Sequence, residues 1–297
     1  MKYFYTVFFV FMQLIINAQT NNVININDFE KHFSKLTYPD KNKAIISLGT
    51  TYSKTTDSVV RSRIVDFMLD SVIVLEKNCS ALAANLLLKY SRINEYDSIK
   101  INKLLQILNN GYCNIDIIQL AGCIGDKRFI NPIYDIYISD IKRDKLENAI
   151  LKNTLARLGH EELIQDRLAY FKSIISQKEP IKQEYVDDLR AITYINRKEF
   201  YDLLFSYILN EKDKVIIVGS YGGDPFGGDD NIYCTLLSFS LELLSDGIVG
   251  FPINQIVCDN YTHNQDIEIV KKWIKTSNNV FQLKKWHPFY GFNYSYW

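Results

Sequence analysis

Two short stretches of the chain, 34 residues apart, are written in the same grammar. In the first, Leu120-Ala121-Gly122-Cys123-Ile124 is an apolar helix end that meets Gly125. Asp126-Lys127-Arg128 make a polar turn, and a second helix follows with Pro132 in its first turn, where a missing N–H costs nothing. Asp126 lies near the start of that helix, where an acidic side chain suits the dipole. In the second, Leu155-Ala156-Arg157-Leu158 runs into Gly159, and His160-Glu161-Glu162-Leu163-Ile164 opens the next helix. A helix pair of this size cannot bury its own apolar face. Pairs laid side by side share one core, and about three or more are needed for stability.

Weaker copies extend the pattern. Ile192-Thr193-Tyr194-Ile195 ends at Asn196, 37 residues after Gly159, and Asn is the natural substitute for Gly at a left-handed helix end. Ala44 to Gly49 reads as an early copy. Ala83 to Leu88 reads as the inner helix of another, its end degraded at Tyr90-Ser91. Between the turns Ile117, Ile118, Leu120, Ala121 and Ile124, then Ile133, Ile136, Tyr137 and Ile141, recur at helical spacing. Gly122 and Ala156 are small where helices would approach closely.

On these residues, Leu120 to Tyr134 and Leu155 to Leu168 resemble HEAT-like repeats of the phycobilisome-lyase type: an Ala- and Leu-rich helix, a Leu-Gly or Ile-Gly-Asp turn and a second amphipathic helix. The good match covers residues 114–175. The resemblance implies an all-α fold, an α-solenoid of HEAT/ARM-like helical repeats stacked right-handed over 41–210 and closed by a divergent C-terminal cap over 211–297. It implies no lyase activity, because nothing in the chain asks for a bilin.

The N-terminus reads differently. Met1-Lys2 is a short positive start, Phe4 to Ile16 is apolar but for Thr6 and Gln13, and Asn17-Ala18-Gln19 offers a cleavage point after Ala18. A run of about 13 residues is short for a membrane span, which needs about 20. Residues 1–18 are therefore expected to be a signal peptide and 19–40 a linker, with the mature chain secreted or periplasmic. The cut resembles those of Bacteroidetes-like secreted proteins. Cleavage leaves 33 basic and 34 acidic side chains, and this near-neutral balance excludes a nucleic-acid footprint. Export would place Cys79, Cys113, Cys123, Cys234 and Cys258 in an oxidising compartment. Only Cys234 and Cys258 sit on neighbouring segments; the alternative is that all five are small buried hydrophobes.

After Asn210 the texture changes. Lys214 to Gly219 is a β-branched run, and a Gly/Asp loop spans 219–231. Ile232 to Leu244, Ile253 to Val257 and Ile267 to Ile274 read as helical. The loop lacks the spacing of a phosphate cradle. Asp224, Asp229 and Asp230 are oxygen ligands in a loop and offer a Ca²⁺ reading; the alternative is an exposed loop with Asp230 or Asn231 capping the next helix. The last twelve residues hold seven aromatics. Trp286, Tyr290, Tyr294 and Trp297 could cover the end of the stack or bind a protein or a glycan.

No catalytic constellation emerges. His32, His160, His263 and His287 stand in no metal-ligand spacing, and His160 in its turn is expected to face solvent. Asp259, His263 and Asp266 are close in sequence but fit helix capping. Glu161-Glu162 and Asp187-Asp188 read as solvated helix faces. The expectation is a non-catalytic exported scaffold with a protein partner and no cofactor. The alternative is a calcium-dependent or carbohydrate-binding module, or an enzyme, centred on 219–231 and the aromatic tail.

Overall fold

The computed structural model describes residues 26–73, 77–110, 114–139, 144–177, 181–210, 215–218, 232–253, 264–277 and 280–284. The signal-peptide segment, the 219–231 loop with Asp224, Asp229 and Asp230, and the aromatic tail from Trp286 lie outside the described residues, as do Cys113 and Cys258.

The fold is all-α, in two compact units, Met1–Leu151 and Lys152–Trp297. In the first unit the helices are α1 (Ile26–Phe33), α2 (Tyr38–Lys54), α3 (Ser58–Phe67), α4 (Lys77–Tyr90), α5 (Ser98–Asn109), α6 (Ile115–Ile124) and α7 (Ile130–Ser139). A π-helical turn, Met68–Ile73, extends α3, and 3₁₀ turns lie at Ile93–Glu95 and Lys127–Phe129. Alternate helices pack. α2 lies on α4 and α4 on α6; α1 lies on α3, the π turn on α5, and α5 on α7. The result is two rows of helices with a shared core between them.

The chain punctuates these helices with its own side chains. Asp57 accepts from Val59 N at 2.8 Å, Asp97 from Lys100 N at 3.0 Å, and Asn114 from Asp116 N at 2.9 Å. Gly125 ends α6 at φ 77°, and Asp126 then accepts from Arg128 N at 2.9 Å to open the 3₁₀ turn.

Two expectations fail here. Residues 26–33 of the supposed linker are helix α1, because Ile26, Phe29 and Phe33 share one face and the two rings meet Phe67 at 5.2 Å. Gly49 is no helix end but lies inside α2, buried. A Cβ there would sit 2.7 Å from the Leu86 side chain, so its role is close approach between α2 and α4.

The helix α8 (Lys145–Leu158) carries the boundary. The second unit adds α9 (Glu161–Ile175), α10 (Gln183–Ile195), α11 (Lys198–Asn210), α12 (Leu236–Gly247) and α13 (Asn264–Ser277). Again alternate helices pack: α9 on α11, α11 on α13, and α10 on α12. Gly159, at φ 101°, and Asn196, at φ 52°, end α8 and α10 in the left-handed region, as the sequence expects.

The C-terminal part departs from expectation at one point. Residues 232–235 are not the start of a helix but strand β2 (Ile232–Thr235), antiparallel to β1 (Val215–Val218) with Val215 opposite Thr235. Three of its four residues, Ile232, Tyr233 and Thr235, are β-branched or aromatic, which suits a strand. Thr235 then caps α12 by accepting from Ser238 N. Residues 280–284 run back along the chain: Val249 N donates to Gln282 O and Lys284 N to Gly247 O, each at 2.9 Å. Phe281 enters a ring cluster with Phe205 at 5.2 Å, and Trp273 meets Phe251 at 5.4 Å.

Candidate functional site

The rows α2–α4–α6 in the first unit and α8, α10, α12 in the second carry a polar position that recurs. Six residues before the residue that closes each helix stand Asn85, Gln119, Asn153, Arg190 and Glu242, closed respectively by Ser91, Gly125, Gly159, Asn196 and Ile248. The first three are spaced by 34 residues each. In α2 the same position is Gly49, against Leu86.

Two of these side chains reach the next helix of their own row. Asn85 is on the surface of α4 and hydrogen-bonds the carboxylate of Asp116 on α6. Burial pushes that carboxyl up to about 6, and the Asn85 bond pulls against it. Arg190 Nη1 on α10 donates to Glu242 Oε1 on α12 at 3.3 Å and lies over the Phe239 ring at 5.3 Å. Burial raises the Glu242 carboxyl too, with Arg190 opposing. Gln119 and Asn153 are buried between them in sequence, 2% and 5% exposed. Polar groups at this depth are tolerated where they fix the register of packed helices.

A second polar group is a buried knot in the first unit. Arg61 Nε pairs with Glu95, Arg61 Nη1 donates to Tyr52 O at 2.7 Å, and Nη2 donates to Tyr90 O at 2.6 Å. The Tyr52 hydroxyl donates to Glu95, and burial foremost holds that hydroxyl far above its ordinary range. Arg61 thus gathers carbonyls at the ends of α2 and α4 and the 3₁₀ turn between helices. All its partners are internal, which makes it a clamp. In the second unit Arg157 plays a similar part: it donates to Tyr194 O near the end of α10, while Thr154 Oγ1 meets the Tyr194 hydroxyl at 2.8 Å.

Arg167 is of another kind. It is 5% exposed and stacks on Tyr170 and Phe171 at 4.4 and 4.6 Å, and its Nε and Nη2 have no hydrogen-bond partner. Burial lowers its pKa, with the charge of Asp188 opposing. That carboxylate already accepts the Tyr170 hydroxyl.

The residues singled out in the sequence fare unevenly. Asp224, Asp229, Asp230, Trp286, Tyr290, Tyr294 and Trp297 lie outside the described residues, as do Asp259, His263 and His287. Asp266 stands in the first turn of α13. Cys79 and Cys123 are buried and form no disulfide. His160 is half-buried, not solvent-facing, because the turn after Gly159 folds against the helix ends. Asp188 is half-buried and bound to Tyr170, whereas Glu161 and Glu162 are exposed as expected. Among the described residues no group of three His, Cys, Asp or Glu side chains could hold a metal, and no helix is long and apolar enough to cross a membrane.

The fold is a mostly helical one in which helices pack on their neighbours within each unit. No family model, curated protein or solved structure matches the chain.

Proposed function

We propose that the chain is an exported, non-catalytic scaffold of HEAT-like repeats that holds a protein partner. The observation that carries this reading is the recurrence of left-handed helix ends at Gly125, Gly159 and Asn196, with alternate helices packed in rows inside each unit. Repeats of this kind build extended surfaces rather than a single cleft. The Met1–Gln19 pattern supports export.

Three apolar side chains at or near the starts of α3 and α5 are candidates for contact: Val59 on α3, Ile93 in the 3₁₀ turn before α5 and Ile99 on α5, exposed by 66%, 40% and 64%. A photo-reactive residue placed at Val59 or Ile99 of the full chain, expressed in its own host, should give one dominant cross-linked protein. The double change Val59→Glu, Ile99→Glu should abolish it without moving the thermal midpoint. Cross-links scattered over many proteins, and unaffected by the double change, would refute a specific scaffold.

A further inference from the structure

Asp116 occupies the first turn of α6 and is 8% exposed. It is not the helix cap: Asn114 fills that role, accepting from the N–H groups of Asp116 and Ile117 at 2.9 and 3.2 Å. The Asp116 carboxylate instead faces α4, the helix packed on α6. There Asn85 gives it one hydrogen bond. Its Oδ1 is buried and has no partner. The residue one turn on, Gln119, is neutral and 2% exposed. Among the described residues no ionised side chain bears on Asp116; burial raises its carboxyl, while the Asn85 bond and the N-terminal end of α6 oppose that rise.

A buried carboxylate with one orphan oxygen is poorly solvated in its charged form. A proton relieves it, since the neutral acid carries no charge to solvate and keeps an acceptor for Asn85. Asn85 is exposed, so water reaches the edge of the contact. We propose that Asp116 is an acid-operated latch between α4 and α6: its buried carboxylate is strained at neutral pH, and a proton relieves that strain although it weakens the Asn85 bond. The latch stands independently of the partner reading and works in the chain alone.

The sign follows from linkage. The folded carboxyl titrates at about 6, above its ordinary 3.8, so between these values the folded chain binds the extra proton. The contact therefore gains stability as pH falls through about 6 and stops gaining below about 4. A rise of about 2 units corresponds to about 100-fold in the folding equilibrium constant.

The test is equilibrium unfolding of the mature chain between pH 4.5 and 8, with the Asp116 side-chain carbon followed by carboxyl NMR. Asp116→Asn, which mimics the neutral acid, should fold with a constant up to about 100-fold above wild type at pH 8, the gap narrowing to under about 10-fold by pH 4.5. Asn85→Ala removes the Asn85 hydrogen bond and should move the Asp116 midpoint further up. An Asp116 midpoint near 4 would overturn the latch, as would an Asp116→Asn difference equal at both ends of the range. If Asp116→Asn does not fold, the Asn85→Ala midpoint decides: a shift upward supports the latch, and no shift contradicts it.

Discussion

Asn196 donates its side-chain amide to the backbone carbonyl of Lys284 at 2.8 Å, across 88 residues of chain. The same Asn196 ends α10 in the left-handed region and accepts from the Tyr201 hydroxyl at 3.3 Å. Lys284 in turn donates its Nζ to Ser245 O at 2.9 Å. One residue thus ends α10 and ties down the 280–284 segment.

Substitution separates the two tasks of Asn196. Asn196→Gly keeps the left-handed backbone and loses the amide bonds, so it should cost about 1 kcal/mol. Asn196→Ala loses the bonds and also strains the backbone, adding about 1 kcal/mol. Urea denaturation of both variants checks this. Equal losses would mean that the backbone conformation at 196 is unimportant.

Gly247 and Gly125 should respond to alanine for different reasons. A Cβ at Gly247 would fall 1.9 Å from the Tyr201 hydroxyl, with buried ring atoms close behind. Gly247→Ala is a case of overpacking and should cost about 1–3 kcal/mol. At Gly125 a Cβ meets nothing within 4 Å, and only the positive φ resists it, for about 1 kcal/mol. Adding Tyr201→Ala should recover part of the Gly247→Ala loss and none of the Gly125→Ala loss. Thermal melts of the single and double variants read the coupling.

Breaking the Arg61–Glu95 pair should hurt more than removing it. Both side chains are under a tenth exposed. Glu95→Leu alone strands a buried guanidinium and should cost about 3–5 kcal/mol. The double change Arg61→Met, Glu95→Leu removes the charge with its partner and should cost less than the single one. A double-mutant cycle by denaturant unfolding measures it; a purely additive result would contradict a coupled clamp.

The helix ends were the most legible part of the sequence. Gly125, Gly159 and Asn196 announce left-handed residues through chemistry that needs no tertiary context, and each ends a helix there. Gly49 misled because a glycine in an apolar run can serve either a helix end or a close approach, and only the position of Leu86 decides. The polar register was missed for a related reason. Gln119 and Asn153 look like solvated face residues one at a time, and their burial depends on the neighbouring helix, whereas Asn85 is exposed and reaches Asp116 across the α4–α6 contact. Their common spacing of 34 was the available signal. Strand β2 escaped because the apolar pattern of α12 runs into it without interruption.

The central claim is that this is a scaffold with a protein partner. Native mass spectrometry of the chain purified from its own host tests it most directly. The account predicts a mature chain beginning at Gln19, of 279 residues, bound to one further protein in fixed ratio. A chain that retains its first 18 residues, or one that comes away alone at every concentration tested, would contradict it.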